Sequence, residues 1–307
     1  MKPYILIFLL WGACWACSDN EDLTPSHNDR NMFDMPDFSS PEEMQLRRNF
    51  HEETSSYLIF NDSLYYRNLT TPQGSDPELV MLDMKYQISG TTDKTPIRYS
   101  LLKNMEDKVL ATKFLKEEIL SWLSPAFYSY AFFMVDEFFS SVEEFDLDIF
   151  EYVWIEFPAE AYAGYNATLI AYNDFYSRNE TERYSYKRKV LKTLVEKTHS
   201  QIKDSEYDDF YNVLSKYYKK RPEQKDEEGK GDYEESILEL GYLTTYQSSW
   251  GISFWEKKYD LLAYVTEIYS LTQEEFDEKY DKEQYPLVHQ KKNALVKIFE
   301  RHGVRVY

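Results

Sequence analysis

The sequence predicts an α+β fold, and two observations carry that prediction: strand-length apolar runs crowd its first half, and segments of helical periodicity fill its last third. Residues 57–66 (YLIFNDSLYY) read as a strand, turn and strand around Asn61 and Asp62. Residues 79–88 (LVMLDMKYQI) alternate in part like a further strand. A helix is expected over 101–122, where Leu102, Met105, Val109, Leu110, Phe114, Ile119 and Leu120 recur at helical spacing and Pro125 then forbids continuation. Three short apolar runs, AFFMV at 131–135, YVWIEF at 152–157 and ATLIAY at 167–172, suit buried strands; the last is expected at a sheet edge, just before a helix. That helix covers 184–202, with Val190, Leu191, Leu194, Val195, Thr198 and Ile202 on one face. The charged, almost aliphatic-free run 219–235 reads as a solvent loop. Helices follow at 255–269, 273–280 and 287–301, the last ended by Gly303.

Composition narrows the function classes. The chain has 307 residues and a formal net charge of −19, from 35 basic and 54 acidic side chains, so a phosphate backbone or an anionic lipid surface would be repelled. Nucleic acid is excluded as a partner on that ground. The 28 tyrosines and 19 phenylalanines serve mainly as core and half-buried surface. No G-x-S-x-G turn and no glycine-rich phosphate loop is present. Acidic pairs such as Asp136 with Glu137 or Glu143 with Glu144 suit glycoside hydrolysis, but 54 acidic residues offer too many pairs for any one to count.

The first residues, MKPYILIFLLWGACWACSDNED, set Lys2 before a short apolar run that ends in small residues and cysteine. That run is too short to span a bilayer comfortably and has the grammar of an export signal. It resembles a bacterial lipoprotein signal, in which the chain is cut before a cysteine that then carries acyl chains. Cys17, followed by the acidic run from Ser18 to Asp22, is the preferred attachment site and Cys14 the alternative. The resemblance implies an anchor in the outer membrane with the protein exposed at the cell surface. The expected organisation is a signal peptide over 1–16, a proline-bearing polar tether over 17–45 and one domain over 46–307.

On the helix over 184–202 lies Val195-Glu196-Lys197-Thr198-His199, which is H-E-x-x-H with valine at the first histidine position. The intact motif places two imidazoles one helical turn apart on a zinc ion, and its glutamate polarises the metal-bound water. Downstream, GYLTTYQSS at 241–249 and EKKYDLLAYV at 256–265 are similar to the segments G-F-V-x-x-Y-A-x-S and E-D-F-A-E-x-x-A-Y-V of import-associated zinc metallohydrolase lipoproteins. The similarity also takes in the lipoprotein signal, the ATLIAY strand and the helix over 287–301.

This resemblance implies a zincin-like metallopeptidase fold with a small mixed sheet and a helical C-terminal half. It places Glu196 in the catalytic position and His199 and Asp260 as second and third zinc ligands. A catalytic zinc normally has three protein ligands and an open position for water. Here Val195 removes the first, and Asp260 is one methylene shorter than the family's glutamate, so zinc is expected to be weakly held or absent. The resemblance therefore implies a degenerate member, an accessory or binding component of a nutrient-import system beside a TonB-dependent transporter, with a peptide or glycan ligand.

Other readings of these residues stay open. Glu196 could be a solvated helix residue, His199 a hydrogen-bonded cleft histidine, and Asp260 a partner of nearby lysines. A working hydrolase would need a third ligand, for which His289 is the candidate. A carbohydrate-binding surface lipoprotein would use exposed aromatic residues such as Trp250 and Trp255 as a stacking platform.

Overall fold

The computed structural model describes residues 31–33, 39–71, 74–85, 95–146, 150–215, 218, 237–248, 251–253 and 256–307. Cys14, Cys17, the charged run 219–235, Trp250 and Trp255 lie outside them. The chain opens with α1 (Pro41–Thr54), β1 (Tyr57–Ile59), β2 (Ser63–Thr71), β3 (Gly74–Met81), β4 (Arg98–Ser100) and α2 (Met105–Phe114). Next come β5 (Ala131–Val135), β6 (Glu137–Asp146), β7 (Glu151–Pro158), β8 (Ala161–Ala163) and β9 (Thr168–Ala171). The C-terminal half holds α3 (Glu180–Thr198), the single turn α4 (Asp208–Tyr211), the short pair β10 (Tyr246–Ser248) and β11 (Gly251–Ser253), then α5 (Lys257–Ser270), α6 (Gln273–Lys279) and α7 (Pro286–Arg301). This is an α+β chain with small sheets and a largely helical second half.

The central sheet has the order β1-β5-β9-β8, with β1, β5 and β9 parallel and β8 antiparallel to β9. AFFMV reads as a continuous apolar run because both faces of β5 are covered. Phe132 and Met134 join the helical core with Leu191, Leu194, Val195 and Tyr264, while Phe133 and Val135 pack with Ile59, Leu64 and Leu169 on the other face. The run 167–172 forms β9 as a buried strand, but it lies inside the sheet between β5 and β8, so the edge position expected for it is corrected.

Residues 57–66 do run strand, turn and strand, with Asn61 turning the chain by accepting the Ser63 N–H, and each strand finds its partner elsewhere, β1 in β5 and β2 in β3. Two further expectations change. Folded structure begins before residue 46, inside the stretch expected as tether. Ser40 caps α1, Pro41 opens it, and the buried Glu43 pairs with Lys108 at 2.6 Å. Phe33 is also buried, against Tyr57 and Tyr130. Finally, β7 is exposed along nearly its whole length, although YVWIEF looks like a core strand. It pairs with β6 on one side only, at the edge of the order β4-β6-β7. Of the helix expected over 101–122, residues 105–122 are helical, as α2 followed by one turn of π-helix and one of 3₁₀-helix, with Asn104 as the N-cap.

Candidate functional site

The helix α3 starts at a capping box in which Asn179 and Glu182 satisfy each other's backbone N–H groups. Its apolar stripe is buried, and Val195 has no exposed surface. The position that would need the first zinc-binding imidazole therefore points into the helical core. Glu196 turns toward α5, where its Oε1 accepts from the Thr266 hydroxyl at 2.7 Å, and Lys192 stands 3.9 Å away. His199 is the cap that ends the helix, its Nδ1 2.8 Å from the Glu196 carbonyl oxygen. The Tyr207 hydroxyl donates to the His199 carbonyl at 3.0 Å.

Asp260, expected as the third ligand, is 1% exposed and engaged elsewhere. The Lys291 Nζ of α7 lies 2.7 Å from Oδ1 and 2.6 Å from Oδ2, and the Tyr218 hydroxyl donates to Oδ2 at 2.5 Å. Lys291 is itself fully buried and also donates to the Gly241 carbonyl at 3.1 Å. The rings of Phe210, Tyr264 and Tyr242 surround its ammonium at 4.5, 4.6 and 5.0 Å from their centroids.

Gly241 makes this possible: its φ of +77° is left-handed, and an added Cβ would meet the Leu287 Cβ at 3.0 Å. Burial pushes the Asp260 carboxyl up against the pull of Lys291, and it pushes Lys291 down to about 8. Burial and the Asp260 carboxylate likewise hold the Tyr218 phenol protonated. Both sequence blocks that resembled the metallohydrolase family thus converge on one lysine. No hydrogen bond or ion pair joins His199 to Asp260, and no cluster of three metal-ligating side chains occurs among the described residues.

His289 does not complete the set. It is buried beneath α6, with Nε2 on the Tyr280 carbonyl oxygen, Nδ1 3.7 Å from the Asp277 carboxylate and its ring edge-on to Phe276. Those contacts tie α7 to α6.

Two surfaces that the sequence did not signal carry chemistry. Lys197, between Glu196 and Thr198, points to the sheet: its Nζ donates to the Thr168 hydroxyl at 3.1 Å, and Thr168 in turn lies 2.6 Å from the Ser129 hydroxyl. Burial lowers the Lys197 amine to about 8. With Met84, Lys85, Tyr162, Ala163, Gly164 and Tyr165 it lines a cavity of about 410 Å³. The second surface is the β6–β7 ribbon, where Phe145 pairs with Tyr152 and Glu143 with Trp154 on one face. Phe150 is 77% exposed and Tyr152 68%, and Phe145 packs edge-on against both rings.

Comparison with family models, with curated proteins and with solved structures finds no match in any of the three.

Proposed function

We propose that this chain is a lipid-anchored accessory or binding component of a nutrient-import system, built on a zincin-like frame whose metal site has been replaced by a buried ion pair. The observation that carries this reading is Asp260. A carboxylate held by a lysine at 2.6 Å and a tyrosine at 2.5 Å has both oxygens engaged, and freeing it for a cation would strand the Lys291 charge in the core. Glu196, bonded to Thr266, then has no acidified water to act on. The lipid anchor, the outer-membrane location and the import partner rest on the Cys17 signal and the motif resemblance. Zinc titration of the natural protein tests the reading: saturable one-to-one binding that depends on His199 would refute it.

A carbohydrate-binding surface lipoprotein is a second reading, favoured by the exposed aromatic ribbon. Tyr152 and Trp154 project from the same face of β7, so sugar rings could stack across it. Under this reading, Tyr152→Ala with Trp154→Ala abolishes retention on a glycan column and leaves the unfolding midpoint near that of the parent. Unchanged retention of the double variant, or no retention of the parent, rejects it.

A further inference from the structure

Lys197 and Lys85 face one cavity in a protein of net charge −19, and no carboxylate pairs with either side chain among the described residues. Elsewhere the lysines of this fold find acidic partners readily: Lys108 pairs with Glu43, Lys189 with Glu160, Lys279 with Glu267 and Lys292 with Asp277. The Asp83 carboxylate nearest to Lys85 in sequence accepts that residue's backbone N–H at 2.9 Å. Two cations without a carboxylate partner among the described residues, beside one concavity, make a local positive field, and the desolvated Lys197 ammonium gains most from an incoming anion.

The rest of the lining fixes the ligand's size and character. About 410 Å³ is the scale of a small-molecule pocket and far more than an inorganic anion fills. Tyr162 and Tyr165 supply aromatic surface, with Tyr165 half exposed at the rim. Gly164 shapes the wall: a Cβ there would stand 2.7 Å from the Met84 carbonyl oxygen, so only glycine lets the end of β8 close against the Met84 turn. Behind the ammonium, Thr168 and Ser129 form a buried hydroxyl pair that holds Nζ in place.

We propose that this cavity binds a compact organic carboxylate of monosaccharide size, such as an acidic sugar, with the carboxylate on Lys197 and Lys85 and the ring against Tyr162 and Tyr165. The site is independent of the Asp260 pair and of any membrane anchor.

The test is calorimetric titration of the full chain with glucuronate, glucose and inorganic phosphate at pH 7. Glucuronate is expected to saturate at one per chain, with glucose, which lacks the carboxylate, and phosphate, which lacks the ring, each binding at least tenfold more weakly. Lys197→Met and Lys85→Met should each weaken glucuronate at least tenfold, and Lys197→Arg should retain most of the affinity. Lys85→Met alters a turn residue outside the core, so its loss of binding at an unchanged unfolding midpoint separates recognition from folding. Failure of glucuronate to saturate, equal binding of glucose or phosphate, or unchanged affinity in Lys85→Met would overturn the proposal.

Discussion

The Lys291 ammonium sits 2.6 Å from one oxygen of the Asp260 carboxylate and 2.7 Å from the other, with both side chains removed from solvent. The pair ties the start of α5 to the middle of α7, and Tyr218 and Gly241 add further hydrogen bonds to it. A buried pair of this kind is costly to break from one side, because the survivor becomes an uncompensated charge.

Lys291→Met should therefore destabilise the protein by about 3–5 kcal/mol. The double variant Asp260→Leu with Lys291→Met should be more stable than Lys291→Met alone, since no charge is then stranded. Chemical denaturation of the two single variants and the double variant measures the coupling. Additive losses would mean that the two charges do not depend on each other.

The Lys197 amine gives a pH signature. Its folded value, about 8, lies below the ordinary 10.5, so between those values the unfolded chain binds the extra proton. Stability contributed by this group rises with pH through that window, and the burden of its buried charge is greatest below pH 8. Lys197→Met removes both states. The difference in unfolding free energy between variant and parent should thus favour the variant most near pH 7 and shrink toward pH 10. A difference independent of pH would place the amine in ordinary solvent.

Val195→His would restore the letters of H-E-x-x-H at a position that is fully buried. The imidazole would replace a fully buried apolar side chain among Leu191, Leu194 and Tyr264, at a cost of about 1–3 kcal/mol for an unpartnered polar group. The variant should unfold at a lower denaturant concentration and should not gain one-to-one zinc. Gain of zinc at unchanged stability would show that the helix can present this position to a cleft.

If Cys17 carries the acyl chains, Cys17→Ser should release the protein from membranes into the soluble fraction with its fold intact. Release by Cys14→Ser instead would move the cleavage site three residues upstream.

The helices were legible because their burial follows a single period. Val190, Leu191, Leu194 and Val195 mark one face of α3, and nothing on the opposite face contradicts it. The buried strands β5 and β9 were legible as short, largely apolar runs without a charged residue. YVWIEF misled because apolar composition measures the tendency to be covered, and β7 has a neighbour on one side only. The tether boundary misled because Ser40-Pro41-Glu42-Glu43 has the polarity of a linker, although it is also a helix start.

At the candidate site, the sequence blocks around Gly241 and Asp260 did mark residues that meet in space. What they meet at is Lys291, which lies 31 positions beyond Asp260 on a helix whose lysines look like solvated surface. Lys197 carried no signal at all, because which face of α3 lies over Thr168 is decided by β8 and β9.

Zinc stoichiometry of the purified natural protein bears most directly on the proposal that an ion pair stands where a metal site would be. Asp260 committed to Lys291 and Val195 committed to the core predict well under one zinc per chain after equilibration with the metal and removal of the excess, with no change in His199→Ala. One zinc per chain, lost in His199→Ala or Asp260→Asn, would contradict the account.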